Sequence, residues 1–121
     1  MTKEKRVIAI ALRLDEMYEH KAALGAIKFA RARDDWQLSG GDWLSWSGRG
    51  THRLDGIIAR ITSAEELARL KAFGVPVVDI AGSFADPLVH TVLNDDRLTG
   101  YMAGRHLLSR GLGNFFYVGV E

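Results

Sequence analysis

Short runs of continuous apolar residues, each followed by a segment with helical spacing, constrain this sequence more than any other feature. The first run spans residues 7–12 (VIAIAL), and similar runs occupy 57–61 and 75–81. Continuous rather than alternating apolarity is typical of strands that are covered on both faces, as in a parallel sheet. Weaker strands are predicted at 36–39 and 90–93. The pattern therefore predicts an α/β fold with a doubly wound, mainly parallel sheet and right-handed crossovers.

Capping signals and apolar spacing predict three helices between these strands. The first covers residues 18–33, and its inward face is predicted to hold His20, Ala23, Leu24, Ile27, Ala30 and Ala32. The second opens with the capping-box pattern of Ser63 and Glu66 and ends at Gly74. The third begins at Asp95 or Asp96 and ends at Gly111, and its predicted inward residues are Leu98, Met102, His106 and Leu107 or Leu108.

A last apolar run at residues 115–120 (FFYVGV) predicts a sixth strand. We expect residues 1–113 to form one lobe of an effector-binding domain and residues 114–121 to be a crossover strand into a second lobe outside this sequence. Because exposure of so much apolar surface is unfavourable, we expect this tail to dock on its own sheet edge or on a second copy. The competing expectation is a disordered tail.

Composition narrows the class of protein. Hydrophobic residues make up 47% and charged residues 26% of the chain, as in soluble globular domains. A net charge of +1 argues against a dedicated nucleic-acid surface. No apolar run approaches the roughly 18 residues of a membrane span, and no signal peptide is recognisable. The chain has no cysteine, which fits a reducing compartment. We therefore expect a cytoplasmic protein that does not contact the membrane.

Motifs of catalysis and cofactor binding do not fit the sequence. The loop after the first strand, RLDEM, has no glycine for a dinucleotide site, and neither a P-loop nor a G-x-S-x-G sequence occurs. The Asp15-Glu16 pair resembles that of a receiver domain, but Arg60 and Asn94 stand where that domain needs Asp and Lys. The histidines do not have metal-ligand spacing. We expect no enzyme, no cofactor and no metal site.

Ligands of doubly wound sheets bind at the carboxyl ends of the strands, where the strand order reverses. That rule selects the loops at 13–18, 42–43, 60–62, 82–84 and 94–96. Carboxylates there can accept hydrogen bonds from sugar hydroxyls, Arg can donate, and an aromatic ring can stack on a sugar. The candidate ligand-binding residues are Asp15, Glu16, Tyr18, Arg60, Ser83, Asp95 and Asp96.

Several of these residues also have a structural interpretation. Arg60 either donates to a ligand or forms an ion pair with Asp15 or Asp95 that ties strands together. Asp95 and Asp96 could be paired catalytic carboxylates, but we expect at least one of them to cap the third helix, which leaves the other for a ligand. The aromatic and basic cluster of Trp43, Trp46, Arg49, His52 and Arg53 could contact nucleic acid, although half-buried tryptophans are the commoner case.

Three stretches together resemble a known family: DGIIAR at 55–60, GVPVVDIAGS at 74–83, and NDDR at 94–97 leading through AGRHLL to RG at 110–111, with NFFYVG at 114–119. This progression is similar to the effector domains of lac-repressor and purine-repressor type regulators, over about residues 6–119. Within that family the sequence resembles bacterial xylose operon regulators most, which join such a sensor to a C-terminal AraC-type helix-turn-helix domain.

The resemblance implies a type I periplasmic-binding-protein-like fold, of which this chain is the N-terminal lobe. It implies that a sugar, such as the pentose D-xylose, binds between two lobes, that the protein is a homodimer, and that transcription is regulated through operator DNA bound by a domain outside this sequence. By position the family's pocket maps to Asp15, Glu16, Tyr18, Arg60 and Asp95. Asp96 stands where the family usually has Asn, and Arg60 stands where it often has a smaller or acidic residue. These two departures leave the identity of the sugar undetermined. A periplasmic sugar-binding transport protein is the alternative.

Overall fold

The computed structural model describes residues 4–41, 43 and 53–119. Five parallel strands form one sheet in the order β2-β1-β3-β4-β5, and the fold is the predicted doubly wound α/β type. The strands are β1 (Arg6–Ala11), β2 (Trp36–Gly40), β3 (Gly56–Ala59), β4 (Val77–Asp79) and β5 (Val89–Thr91). The helices are α1 (Met17–Arg31), α2 (Ala64–Lys71) and α3 (Asp96–Ser109).

The two faces of the sheet have separate cores. On one face, Leu70 of α2 packs in a cluster with buried residues of the inner strands, namely Ala9, Ala11, Ile57, Ala59 and Val77. On the other face, Ala23 of α1 packs with Ile10, Leu12 and Ile80. Coverage on both sides explains why β1 and β3 are continuously apolar in the sequence.

The buried face of α1 differs from the predicted one. Its buried residues are Glu19, Ala23 and Ala30, whereas Leu24 is 45% exposed and His20 is exposed. The predicted inward face is therefore confirmed for Ala23 and Ala30 and wrong for His20, Leu24 and Ala32. The small alanines let the helix backbone lie close to the sheet, and this phase brings Glu19 over the end of β1.

The predicted helix boundaries are confirmed by their hydrogen bonds. The Ser63 hydroxyl accepts from the Glu66 amide at 3.2 Å and the Glu66 carboxylate accepts from the Ser63 amide at 3.2 Å, which completes the capping box of α2. Asp95 caps α3 by accepting from the Leu98 amide at 2.9 Å. Gly74 follows α2 with a φ of 67°, a conformation that favours glycine.

The end of the chain does not pack as predicted. None of the residues of α3 is buried, and Leu98, Met102 and Leu108, which were predicted to face inward, are 51%, 61% and 58% exposed. In residues 115–119, the described part of the expected sixth strand, no strand pairing forms. Phe116 and Tyr117 are 97% and 92% exposed. Residues 115–119 therefore do not pair with their own sheet; docking on a second copy stays a prediction.

No helix in the described part of the chain is long and apolar enough to cross a membrane.

Trp43 is buried, and the Arg69 guanidinium carbon lies 5.9 Å from the centre of its ring. Trp46, Arg49 and His52 of the predicted aromatic and basic cluster, and Asp42 at the end of β2, lie outside the described residues.

Candidate functional site at the carboxyl edge of the sheet

The strand order reverses between β1 and β3. The chain leaves β1 toward β2 on one side and crosses over to place β3 on the other side. The loops that follow these two strands, residues 12–16 and 60–63, therefore diverge from adjacent strand ends. In doubly wound sheets this divergence opens the crevice in which ligands bind.

Glu19 is the buried charge at this point of the fold. The residue is 2% exposed, and its Oε2 accepts a short hydrogen bond from the backbone N–H of Arg13. Its Oε1 lies 3.4 Å from Nη1 of Arg60, which follows β3 directly. A carboxylate withdrawn from water needs such donors, so the loop after β1, the end of β3 and α1 are held together here.

Arg60 has a different partner from the expected one. Among the described residues no hydrogen bond joins Arg60 to Asp15 or Asp95; the carboxylate that it contacts is Glu19. Sequence reasoning missed Glu19, although it lies four residues before Ala23, which was predicted to face inward. The Arg60 side chain remains 43% exposed, so part of its guanidinium faces solvent at the carboxyl edge. An arginine anchored in this way can donate hydrogen bonds to a ligand from a fixed position.

Tyr18 joins α1 to the loop that follows β4. Its hydroxyl donates to the Ile80 carbonyl oxygen at 3.2 Å, and the residue is 46% exposed. The hydroxyl is therefore occupied, and the exposed ring is what Tyr18 offers to a ligand. Aromatic faces of this kind stack on the apolar side of a sugar ring.

The acidic pair after β1 is exposed and turned toward Arg13. Asp15 Oδ2 lies 3.4 Å and Glu16 Oε1 3.9 Å from Nη2 of Arg13, and all three side chains are more than half exposed. Exposed pairs of this type contribute little to stability. Both carboxylates can therefore exchange Arg13 for a ligand hydroxyl at small cost.

Asp79, which was not predicted as a site residue, fixes the loops after β3 and β4. It is 1% exposed, and its Oδ1 accepts from the amides of Ile61 and Ala81, both at 2.9 Å. Its Oδ2 accepts from the Gly82 amide at 2.8 Å. The signal in the sequence was an aspartate inside the apolar run VPVVDIA, because a buried carboxylate must be satisfied by donors. Asp79 therefore holds the two loops at the carboxyl edge in place.

Gly82 allows the loop after β4 to approach the loop after β5. Its φ is 69°, and a Cβ at this position would lie 2.7 Å from Cδ1 of Leu93. Ser83, the next residue, is exposed. The predicted site residue Ser83 is thus presented to solvent by a turn that requires glycine.

The two acidic residues before α3 have separate surroundings. Asp95 is engaged as the helix cap, and Asp96 is exposed in the first turn. The structure thus connects Arg60 and Tyr18 to neighbouring strand ends through Glu19 and Ile80, whereas the contact of Asp95 is with its own helix. In the described residues no group of three His, Asp or Glu side chains is arranged to hold a metal ion.

A cavity of about 420 Å³ lies away from this edge. Residues at the end of α1 and the start of β2 line it, among them Arg31, Arg33, Trp36 and Leu38. The Arg33 guanidinium is bound to Asp35 at 2.8 Å, which raises the pKa of Arg33, and it stacks over Phe29. Because strand amino ends meet here, this cavity is distinct from the predicted ligand crevice.

Comparisons of the chain with protein-family models, with curated proteins and with solved structures found no match.

Proposed function

We propose that this chain is the sugar-binding N-terminal lobe of a cytoplasmic, homodimeric transcriptional regulator, with D-xylose or a related pentose as its effector. The observation that carries the proposal is the position of Arg60. This residue directly follows β3 at the reversal of strand order, its guanidinium contacts buried Glu19, and its side chain is 43% exposed. The position supports a ligand-binding role because the carboxyl edge at the reversal is where doubly wound sheets bind small molecules.

The residues around Arg60 support a polyhydroxylated ligand. Asp15 and Glu16 are exposed acceptors, Arg60 is a donor, and the ring of Tyr18 is an apolar surface. Sugars need this combination of acceptors, donors and a stacking face. The excess of carboxylates over cations at this edge disfavours an anionic ligand.

Calorimetric titration of the chain with D-xylose, L-arabinose and D-ribose tests sugar binding. One lobe offers one wall of the crevice, so we expect a dissociation constant weaker than about 1 mM for the preferred sugar. Micromolar binding would contradict the two-lobe proposal, and no binding at saturating sugar would remove the support for a sugar ligand.

Deletion of the encoding gene tests the regulatory half of the proposal. We expect transcripts of pentose-utilisation genes to lose their response to D-xylose while uptake of labelled sugar by uninduced cells is unchanged. Loss of uptake with an intact transcriptional response would instead support a sugar-binding transport component.

A further inference from the structure

Helix α3 and the segment that follows it are the least covered part of the described chain. None of the 14 residues of α3 is buried. Nine large apolar side chains between residues 98 and 118 are at least half exposed: Leu98, Tyr101, Met102, Leu108, Leu112, Phe115, Phe116, Tyr117 and Val118. Soluble proteins rarely leave so much continuous apolar surface in water, so this region is expected to have a partner.

The size of this surface matches a protein interface. Aromatic side chains each offer about 150–250 Å², so nine large side chains that are half to fully exposed present on the order of 1,000 Å². A stable interface of standard size buries about 800 Å² on each partner. The helix and the segment after it are therefore large enough to support a dimer on their own.

One face of the sheet is only partly covered by the described residues. Ile10, Ile58, Val78 and His90 are in register across β1, β3, β4 and β5 and so form one row on the α1 face. Exposure increases along the row: Ile10 is buried, Ile58 and Val78 are partly exposed, and His90 is exposed. Helix α1 covers the β1 end of the row, and the β5 end remains open.

The opposite face is covered further along its row. Ala9, Ile57 and Val77 are in register there and are 0%, 2% and 2% exposed, and Val89, which completes the row on β5, is partly buried. Leu70 of α2 packs on this row. Among the described residues, no helix covers β4 and β5 on the α1 face, and α3 is a helix with no buried residue.

Local hydrogen bonds fix the start of α3 close to the end of β5. Asp95 accepts from the Leu98 amide through its side chain and from the Thr99 hydroxyl through its carbonyl oxygen, both at 2.9 Å. The Asp96 amide donates to the Asn94 carbonyl oxygen at 3.0 Å. Only residues 92–95 connect β5 to the helix. Short connections of this kind favour exchange of an element between copies.

We propose that two copies of this chain exchange α3, so that the helix and residues 112–118 of one copy cover the open end of the row at Val78 and His90 of the other. The exchange is reciprocal: each copy donates one helix and accepts one. Such an arrangement closes with two-fold symmetry and leaves no free surface for further growth. This interface shares no residue with the sugar site proposed above.

Mass determination by light scattering after size exclusion tests the association. We expect the chain to be a dimer and M102K to be a monomer, since an ammonium group cannot be buried beside Val78 and His90 without an anionic partner. Because Met102 is 61% exposed in the single chain, the variant should keep the native circular dichroism spectrum. The control R97E, at an exposed polar position of the same helix, should remain a dimer. A monomeric parent chain, or a dimeric M102K, would overturn the proposal.

Cross-linking identifies which surfaces meet. The chain has no cysteine, so H90C and M102C each introduce a single thiol. The two variants are mixed, allowed to exchange subunits and treated with a flexible thiol cross-linker, and we expect a covalent heterodimer. The control mixture of K28C and M102C should give no covalent heterodimer. Two results would overturn the proposal: intramolecular closure of the H90C/M102C double variant in a monomer, or M102C homodimers without the heterodimer.

Discussion

Nη1 of Arg60, at the end of β3, lies 3.4 Å from Oε1 of Glu19 in the first turns of α1. The glutamate is 3% exposed in its side chain and the arginine 43%, so the pair reaches from the core to the solvent at the reversal of strand order. Glu19 thereby fixes the direction of the one cation on which the proposed sugar site depends.

A double-mutant cycle of E19Q and R60M measures this pair. We expect each single variant to lower the free energy of unfolding by about 1–3 kcal/mol, because each leaves a group without its charged partner. Solvent around Arg60 screens the pair, so the coupling should be only about 0.5–1 kcal/mol. Urea unfolding supplies the values.

The matched control is the exposed pair of Arg13 and Glu16, 3.9 Å apart, for which the coupling should be near zero. Equal coupling in both cycles would contradict the role of Glu19.

Asp79 should be among the most sensitive positions in the chain. D79A leaves the amides of Ile61, Ala81 and Gly82 without their acceptor, and we expect a loss of about 3 kcal/mol or more in the free energy of unfolding. Thermal and urea unfolding measure it, with D34A at an exposed position as the control. A loss below 1 kcal/mol would show that the loops at the carboxyl edge do not depend on this carboxylate.

Substitution of Gly82 should destabilise the fold. G82A is expected to cost about 1–2 kcal/mol, since alanine disfavours the φ of 69° and its Cβ would meet Leu93 at 2.7 Å. In the double variant G82A/L93A, only the part of this loss that comes from the contact with Leu93 should be recovered. The control G40A should be nearly neutral, because nothing lies within 4 Å of a Cβ there. Equal stabilities of G82A and G40A in urea would contradict this account.

The ion pair of Lys71 and Asp86 should make stability depend on acidity. Lys71 Nζ lies 2.7 Å from Asp86 Oδ2, and the hydrogen bond from Lys71, followed by that from the Leu88 amide, lowers the pKa of Asp86 below its ordinary 3.8. A lowered carboxyl pKa stabilises the fold above the ordinary value, and the contribution is lost as the pH falls through the folded-state pKa. D86N should therefore be less stable than the parent at pH 7, and the difference should shrink at acid pH. Unfolding across this pH range tests it; a constant difference would refute the assignment.

The sequence allowed the sheet to be predicted because the strands are covered on both faces and therefore read as continuous apolar runs. The caps of α2 and α3 were also predictable, since Ser63, Glu66 and Asp95 act on amides within four residues of themselves. The phase of α1 was not, because its apolar residues fill two overlapping stripes. The choice between them depends on Glu19 meeting Arg60, which is distant in sequence.

The position of α3 could not be derived from local patterns either. The caps and spacing of its residues indicate where the helix begins and ends, but not which surface the helix covers. Within the candidate site, the loops were predicted from strand ends alone. The partner of Arg60 and the role of Asp79 required the structure, because both depend on contacts between separate strands and helices.

The most direct test of a sugar site anchored on Arg60 is titration of the ¹⁵N-labelled chain with D-xylose, followed by amide NMR shifts. We predict saturable shifts in residues 13–18, 60–62 and 80–83, with affinity weakened about tenfold in R60M, which corresponds to the loss of one charged hydrogen bond. R33M, beside the cavity at the amino ends of the strands, should bind as the parent does. Shifts confined to that cavity, or an R60M variant with unchanged affinity, would contradict the proposed site.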